Sequence, residues 1–211
     1  MKFIIPMATV KALLLAAAKD DRRYYLNGVC IDVRMHDAVA VATNGHILIA
    51  VAVELEPSDD DAPPVPGQYI INRPLLELMK PAYKDAPLSV WIDTTARAVT
   101  VNAGGPNTTA PLIDGQFPEW RRVVPRTVSG RPQQLDADYM HAFKKANKLL
   151  GAKHSPAVAY NGAEHGDGGP ARVLLAGDSV GVIMPFRCDM PSSVDNPEWL
   201  DMLPVSPAAA A

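Results

Sequence analysis

The residues of this chain whose types and spacing could do chemistry are mostly cations in helical register. His141, Lys144, Lys145 and Lys148 recur at i, i+3, i+4 and i+7, which lines them along one helix face. Such a face suits backbone phosphates gripped without reading sequence. Arg73 and Lys80 share a face of a second predicted helix, and Lys11 and Lys19, with Arg22 and Arg23 just beyond, mark a third. On any one helix this is an ordinary solvated face. Three helices side by side would add their faces into one basic strip.

No catalytic arrangement stands beside these cations. Asp32, Asp37, Asp93 and Asp114 are not spaced as a paired acid and base. The histidines show no His-x-x-x-His and the cysteines no Cys-x-x-Cys. The glycine-rich run Gly166 to Gly169 lacks the Lys-Ser/Thr ending of a phosphate loop. The expectation is therefore a binding protein without cofactor or metal, not an enzyme. A net charge of −3 also excludes a polycation that coats nucleic acid through bulk charge. With 211 residues, 48% of them hydrophobic, there is material for a real core. No apolar run reaches membrane-spanning length. Met-Lys-Phe-Ile-Ile followed by Pro6 lacks a secretory cleavage site, so a cytoplasmic protein is expected. Cys30 and Cys188 are then expected to be reduced.

The elements that would position the cations repeat. Phe3-Ile-Ile5 and Tyr69-Ile-Ile71 are each followed by a proline-marked helical run, over 7–20 and 74–80. A diverged third copy starts at Gln133-Gln-Leu135 and leads into a helix over 137–150, with Asp136 as N-cap and Gly151 closing it. Three strand-like runs follow each helix: 24–29, 30–34 and 39–53 (broken at Asn44-Gly45), then 88–93, 98–102 and 108–113, then 157–160, 172–176 and 180–185. The pattern predicts an α+β fold of three β-α-β-β-β units, with helices on one face and antiparallel sheets on the other. Residues 1–56 and 67–124 form a complete two-unit domain on this reading, and 125–187 a half-domain. The proline- and aspartate-rich stretch 54–67 reads as a linker, and 188–211 as a flexible tail.

Four segments, in order, carry a family resemblance: Arg23-Tyr-Tyr-Leu-Asn-Gly28, Ala42-Thr-Asn-Gly-His46, Leu112-Ile-Asp-Gly-Gln-Phe-Pro-Glu-Trp-Arg-Arg-Val-Val-Pro125 and Val182-Ile-Met-Pro-Phe-Arg187. They resemble signature segments of the bacterial DNA polymerase sliding clamp, the beta subunit. Residues 1–126 look like its middle domain, 127–179 match in pattern only, and 180–187 look like its C-terminal end. The resemblance implies a DNA-clamp-like fold whose inner wall is helical and basic. By that implication Lys11, Lys19, Arg22, Arg23, Arg73, Lys80, His141, Lys144, Lys145 and Lys148 face duplex DNA.

The resemblance also implies a pocket for short Leu- and Phe-rich peptides of polymerases, a clamp loader and repair proteins. By motif position it comprises Leu26, Thr43, Gly45, His46, Leu48, Pro118, Arg122, Val123, Met184, Pro185 and Phe186. Leu26, Leu48, Val123, Met184 and Pro185 would give an apolar floor, while Thr43, His46 and Arg122 would hydrogen-bond the peptide. The chain departs from the family at Ile47 (usually Arg), Asn44 (Asp), Trp120 (Tyr), Phe186 (Met) and Cys188 (Leu). Trp199-Leu-Asp-Met-Leu203 resembles the peptides such a pocket takes, which suggests a tail competing for it. Three units leave one without a mate, so a homo-oligomer is expected. The functional expectation is a clamp-like processivity factor; the alternative is a peptide-binding decoy or adaptor that does not encircle DNA.

Overall fold

The computed structural model describes residues 1–35, 37–56, 63–128, 133–154, 159–162 and 169–186. The first unit holds β1 (Lys2–Ile5), α1 (Met7–Leu14), β2 (Gly28–Val33), β3 (Ala38–Thr43), β4 (Ile47–Ala52) and β5 (Glu54–Glu56). The second holds β6 (Gly67–Asn72), α2 (Arg73–Leu78), β7 (Leu88–Asp93), β8 (Ala98–Asn102) and β9 (Thr108–Pro111). The third holds α3 (Ala137–Leu149), β10 (Ala159–Asn161), β11 (Ala171–Leu174) and β12 (Ser179–Ile183). The architecture is α+β with two antiparallel sheets.

The leading strands are exchanged between the first two units. β1 pairs with β7 of the second unit, in a sheet ordered β5-β1-β7-β8-β9. β6 in turn pairs with β2 of the first. β12 then joins β4 edge to edge, so the third unit extends the other sheet to seven strands, β10-β11-β12-β4-β3-β2-β6. Its helix follows the same logic, since α3 packs on α1.

Several element boundaries differ from the sequence expectation, each for a local reason. Residues 24–26 form a 3-10 turn rather than strand, and Gly28–Val33 is one continuous strand. Glu54–Glu56 is not linker: Leu55 sits half-buried opposite Phe3 of β1. α1 stops at Leu14, where the Arg73 guanidinium takes the carbonyls of Leu14 (3.1 Å) and Ala17 (2.7 Å). Those carbonyls are the orphan acceptors of a helix end. Residues 133–135 are in no strand among the described residues, although the Phe186 amide donates to the Gln134 carbonyl (2.9 Å). Asp136 caps α3 as expected, accepting from the amides of Asp138 and Tyr139.

Strands β2 and β4 are covered on both faces, which is why β4 reads as an unbroken apolar run and why β2 is buried throughout, Asp32 included. Val29, Ile31, Ile49 and Val51 point into the main core with Phe3, Leu13 and Phe143. Cys30, Leu48 and Ala50, on the opposite face, meet Leu26, Phe117, Trp120 and Val182 in a second cluster. Burial pushes the Cys30 thiol well above its usual range. Cys188 and the tail 188–211 lie outside the described residues.

Candidate peptide-binding groove

The second cluster opens at one end into a groove of about 250 Å³. Its floor is the outward face of the sheet: Leu48 of β4, Val182 of β12 and Leu26 of the 3-10 turn, all nearly inaccessible. Pro118, Trp120 and Val123 form one wall and Met184 another. Val123 (40%) and Met184 (38%) keep substantial exposure, so an occupant would find apolar surface there to cover.

Two hydrogen-bonded devices hold the rim and the wall. In the turn after β3, the Thr43 hydroxyl donates to the Ile47 carbonyl (2.7 Å) and accepts from the Gly45 amide (3.0 Å). The Asn44 side chain accepts from the amides of His46 and Ile47 (both 2.9 Å), an Asx arrangement. Gly45 is required in this turn. Its φ is +90°, and an added Cβ would lie 2.7 Å from the Arg23 guanidinium. Arg23 is held in place by Asp21, through bonds of 3.1 and 2.8 Å, and by the Asn44 carbonyl (3.1 Å). The Arg23 side-chain bond keeps the Asp21 carboxyl down at about 2.

The wall is anchored from beneath. The Trp120 indole N–H donates to buried Asp32 of β2 (2.8 Å). Arg121 also binds Asp32, reaches Asp37 (2.9 Å), and lies over the Trp120 ring at 4.4 Å. The 3-10 helix Trp120–Val123 is thereby tied to β2, the strand next to the edge strand β6.

The structure brings Leu26, Thr43, Gly45, His46, Leu48, Pro118, Val123 and Met184 to this groove. It does not bring Arg122, Pro185 or Phe186 to its lining: Arg122 and Phe186 are exposed, while Pro185 is buried. Thr43 has its hydroxyl committed to the turn, and exposed His46 stacks on Tyr139 (centroids 5.8 Å apart). Arg23, Tyr25, Ile47, Glu119, Trp120 and Val182 also line the groove without having been singled out for it. All six lay within or beside the quoted motifs, so position in the motif was the available signal. Asp32, the anchor, had none.

The cations divide. Lys11, Lys19, Arg22, Lys80, His141, Lys144, Lys145 and Lys148 are exposed. Lys11 lies on α1 and the last four on α3, two helices that pack together. Arg23 instead sits at the groove rim. Arg73 is turned onto the end of α1 and paired with Glu77 (2.7 Å). Among the described residues no group of three or more His, Cys, Asp or Glu could hold a metal ion, and no helix is long and apolar enough to cross a membrane.

An α+β fold with exchanged leading strands, edge-to-edge sheet extension and an apolar groove at the junction defines a clamp-type protein. The family model for the DNA polymerase III beta subunit, central domain, matches residues 6–119, and the chain belongs to that family. It is 32% identical over 133 residues to the beta sliding clamp of Escherichia coli K12, covering 60% of this chain and 34% of that one. With the beta sliding clamp of Pseudomonas aeruginosa it shares 30% over 164 residues, 73% of this chain and 42% of that one. The chain thus spans between about a third and two fifths of these curated relatives. Among solved structures, Caulobacter crescentus pol III beta superposes with a TM-score of 0.63 at 16% identity, covering 89% of this chain and 66% of that one. The Pseudomonas aeruginosa sliding clamp with ligand gives 0.60 at 20% identity, with the same coverage. At these identities the likeness is one of fold.

Proposed function

We propose that this chain is a clamp-type tether: its groove captures short apolar peptides of polymerases and repair proteins, and its helical layer rests on duplex DNA without sequence preference. The observation that carries the reading is that eight residues assigned to a peptide pocket from separate motifs line one groove. A Leu or Phe side chain suits the floor of Leu26, Leu48 and Val182, and Met184 can adapt to differing partners. The exposed lysines of α1 and α3 supply the phosphate contacts. On this reading the protein is a non-enzymatic, cytoplasmic processivity factor that works as a homo-oligomer, with a clamp loader among its partners. Residues 1–124 act as the complete clamp-like domain and 125–187 as a half-domain.

The test is fluorescence anisotropy with a labelled Leu- and Phe-rich peptide. Met184→Lys and Val123→Asp, at exposed positions where the fold should tolerate them, should each weaken binding about tenfold or more. Unchanged affinity in both variants would remove the groove from the account.

A non-encircling decoy or adaptor is the second reading. It is favoured by the diversion of Arg23 and Arg73 from the basic set and by the net charge of −3. Retention on nicked circular DNA distinguishes the two: an encircling ring is lost when the circle is cut, whereas a surface binder responds to salt alone.

A further inference from the structure

The chain passes along the wall of its own groove before it leaves the described residues. Met184 lines the groove, and the described chain ends two residues later at Phe186. Phe186 is fixed there, its amide donating to the Gln134 carbonyl (2.9 Å). Whatever follows Phe186 is therefore tethered beside the groove. Residues 187–198 separate that point from Trp199-Leu-Asp-Met-Leu203, which lies outside the described residues. A segment of that length can span about 40 Å when extended, whereas its anchor stands two residues from the groove wall.

The chemistry of the two is complementary. Residues 188–211 carry four acids, Asp189, Asp195, Glu198 and Asp201, and no Lys or Arg. Their apolar bulk is concentrated in Trp199, Leu200, Met202 and Leu203, with Asp201 among them and Pro197 and Pro204 on either side. A proline biases the residue before it away from helix and toward extended backbone, the form in which a peptide can set alternate side chains into a groove. The groove offers exposed apolar surface at Val123 and Met184. On its rim, Arg23 commits Nε and Nη2 to Asp21 and to the Asn44 carbonyl. Its Nη1 makes no hydrogen bond among the described residues, which leaves two N–H donors for an incoming carboxylate. Glu119, the one acid of the lining, belongs to the wall with Trp120.

We propose that residues 198–203 are the groove's own ligand, so that a partner peptide binds by displacing them. Leu200 and its apolar neighbours cover Val123 and Met184, and Asp201 reaches Nη1 of Arg23. Tethering raises the local concentration of such a segment to the order of a millimolar, so a contact too weak to form between separate molecules still occupies the groove within one chain. The inference rests on the reading of the groove as a peptide site and adds that this chain regulates its own site.

Fluorescence anisotropy of the full chain with a labelled Leu- and Phe-rich peptide tests it. Leu200→Ser combined with Leu203→Ser should bind the peptide about tenfold more tightly than the wild type, and adding Met184→Lys should cancel the gain. Asp201→Lys should give a smaller gain in the same direction; no gain there removes the contact to Arg23. Equal affinity of the wild type and the double variant, with Met184→Lys weakening both, overturns the proposal and leaves the groove reading standing. If neither the wild type nor the double variant binds the peptide, the groove reading falls and this proposal with it. The Met184→Lys chain, whose tail is intact, should not displace the peptide from the double variant at low micromolar concentration. Displacement would mean that the tail serves neighbouring chains, and would overturn its assignment to its own groove.

Discussion

Asp32 accepts from both the Trp120 indole and the Arg121 guanidinium, so it holds the groove wall while lying outside the lining. Asp32→Asn keeps the shape and removes the charge, weakening both bonds. A loss of about 1–3 kcal/mol in chemical denaturation is expected, together with weaker peptide binding because the 120–123 helix loosens. Retained stability and affinity would show that the wall stands without its anchor. Residues at this scale were unevenly legible. The Asn44-Gly45 turn could be read locally, and the structure uses it as a turn, with both side chain and positive φ employed. Asp32 and Trp120 are far apart in the chain, and no local pattern joins a strand carboxylate to a distant indole. Arg121 and Arg122 were adjacent and alike in sequence. Only the fold shows that Arg121 is the structural one and Arg122 the exposed one.

Among elements, the join between the third unit and the first depends on β12 and α3 approaching closely. A Cβ on Gly181 would meet the Phe143 ring at 2.7 Å and the Val173 Cβ at 2.9 Å. Gly181→Ala should therefore cost about 1–3 kcal/mol through overpacking, with amide exchange rising in β10–β12 and α3 before the first two units. Uniform exchange would mean that the third unit is not separately held. On α3, Lys144, Lys145 and Lys148 are exposed beside α1. Reversing all three to Glu should lower duplex affinity and flatten its dependence on salt, because fewer counterions are released on binding. An unchanged salt slope would place DNA elsewhere. The three helices expected from the repeat are present in the structure, α1 ending earlier than expected, as is the N-cap at Asp136. Strand exchange was not legible: alternation gives each strand two faces but does not name its neighbour. Arg73 misled for a related reason, since a cation on a helix looks the same whether it faces solvent or caps another helix.

At the scale of the molecule, the proposed function asks one assembly to use a groove on the outward sheet face and cations on the helical layer across the sheet from it. The repeat made that two-sided architecture readable from sequence, because each helix–strand unit presents helix and sheet to opposite sides. Ring closure, which the proposed function calls for, was not readable, since it would depend on contacts between chains. The most direct measurement follows a fluorescent protein fused to a Leu- and Phe-rich peptide on nicked circular DNA. The account predicts that the fusion is retained only when this chain is present, is lost with Met184→Lys, and runs off once the circle is cut. Retention that ignores Met184→Lys, or no retention at all, would contradict it.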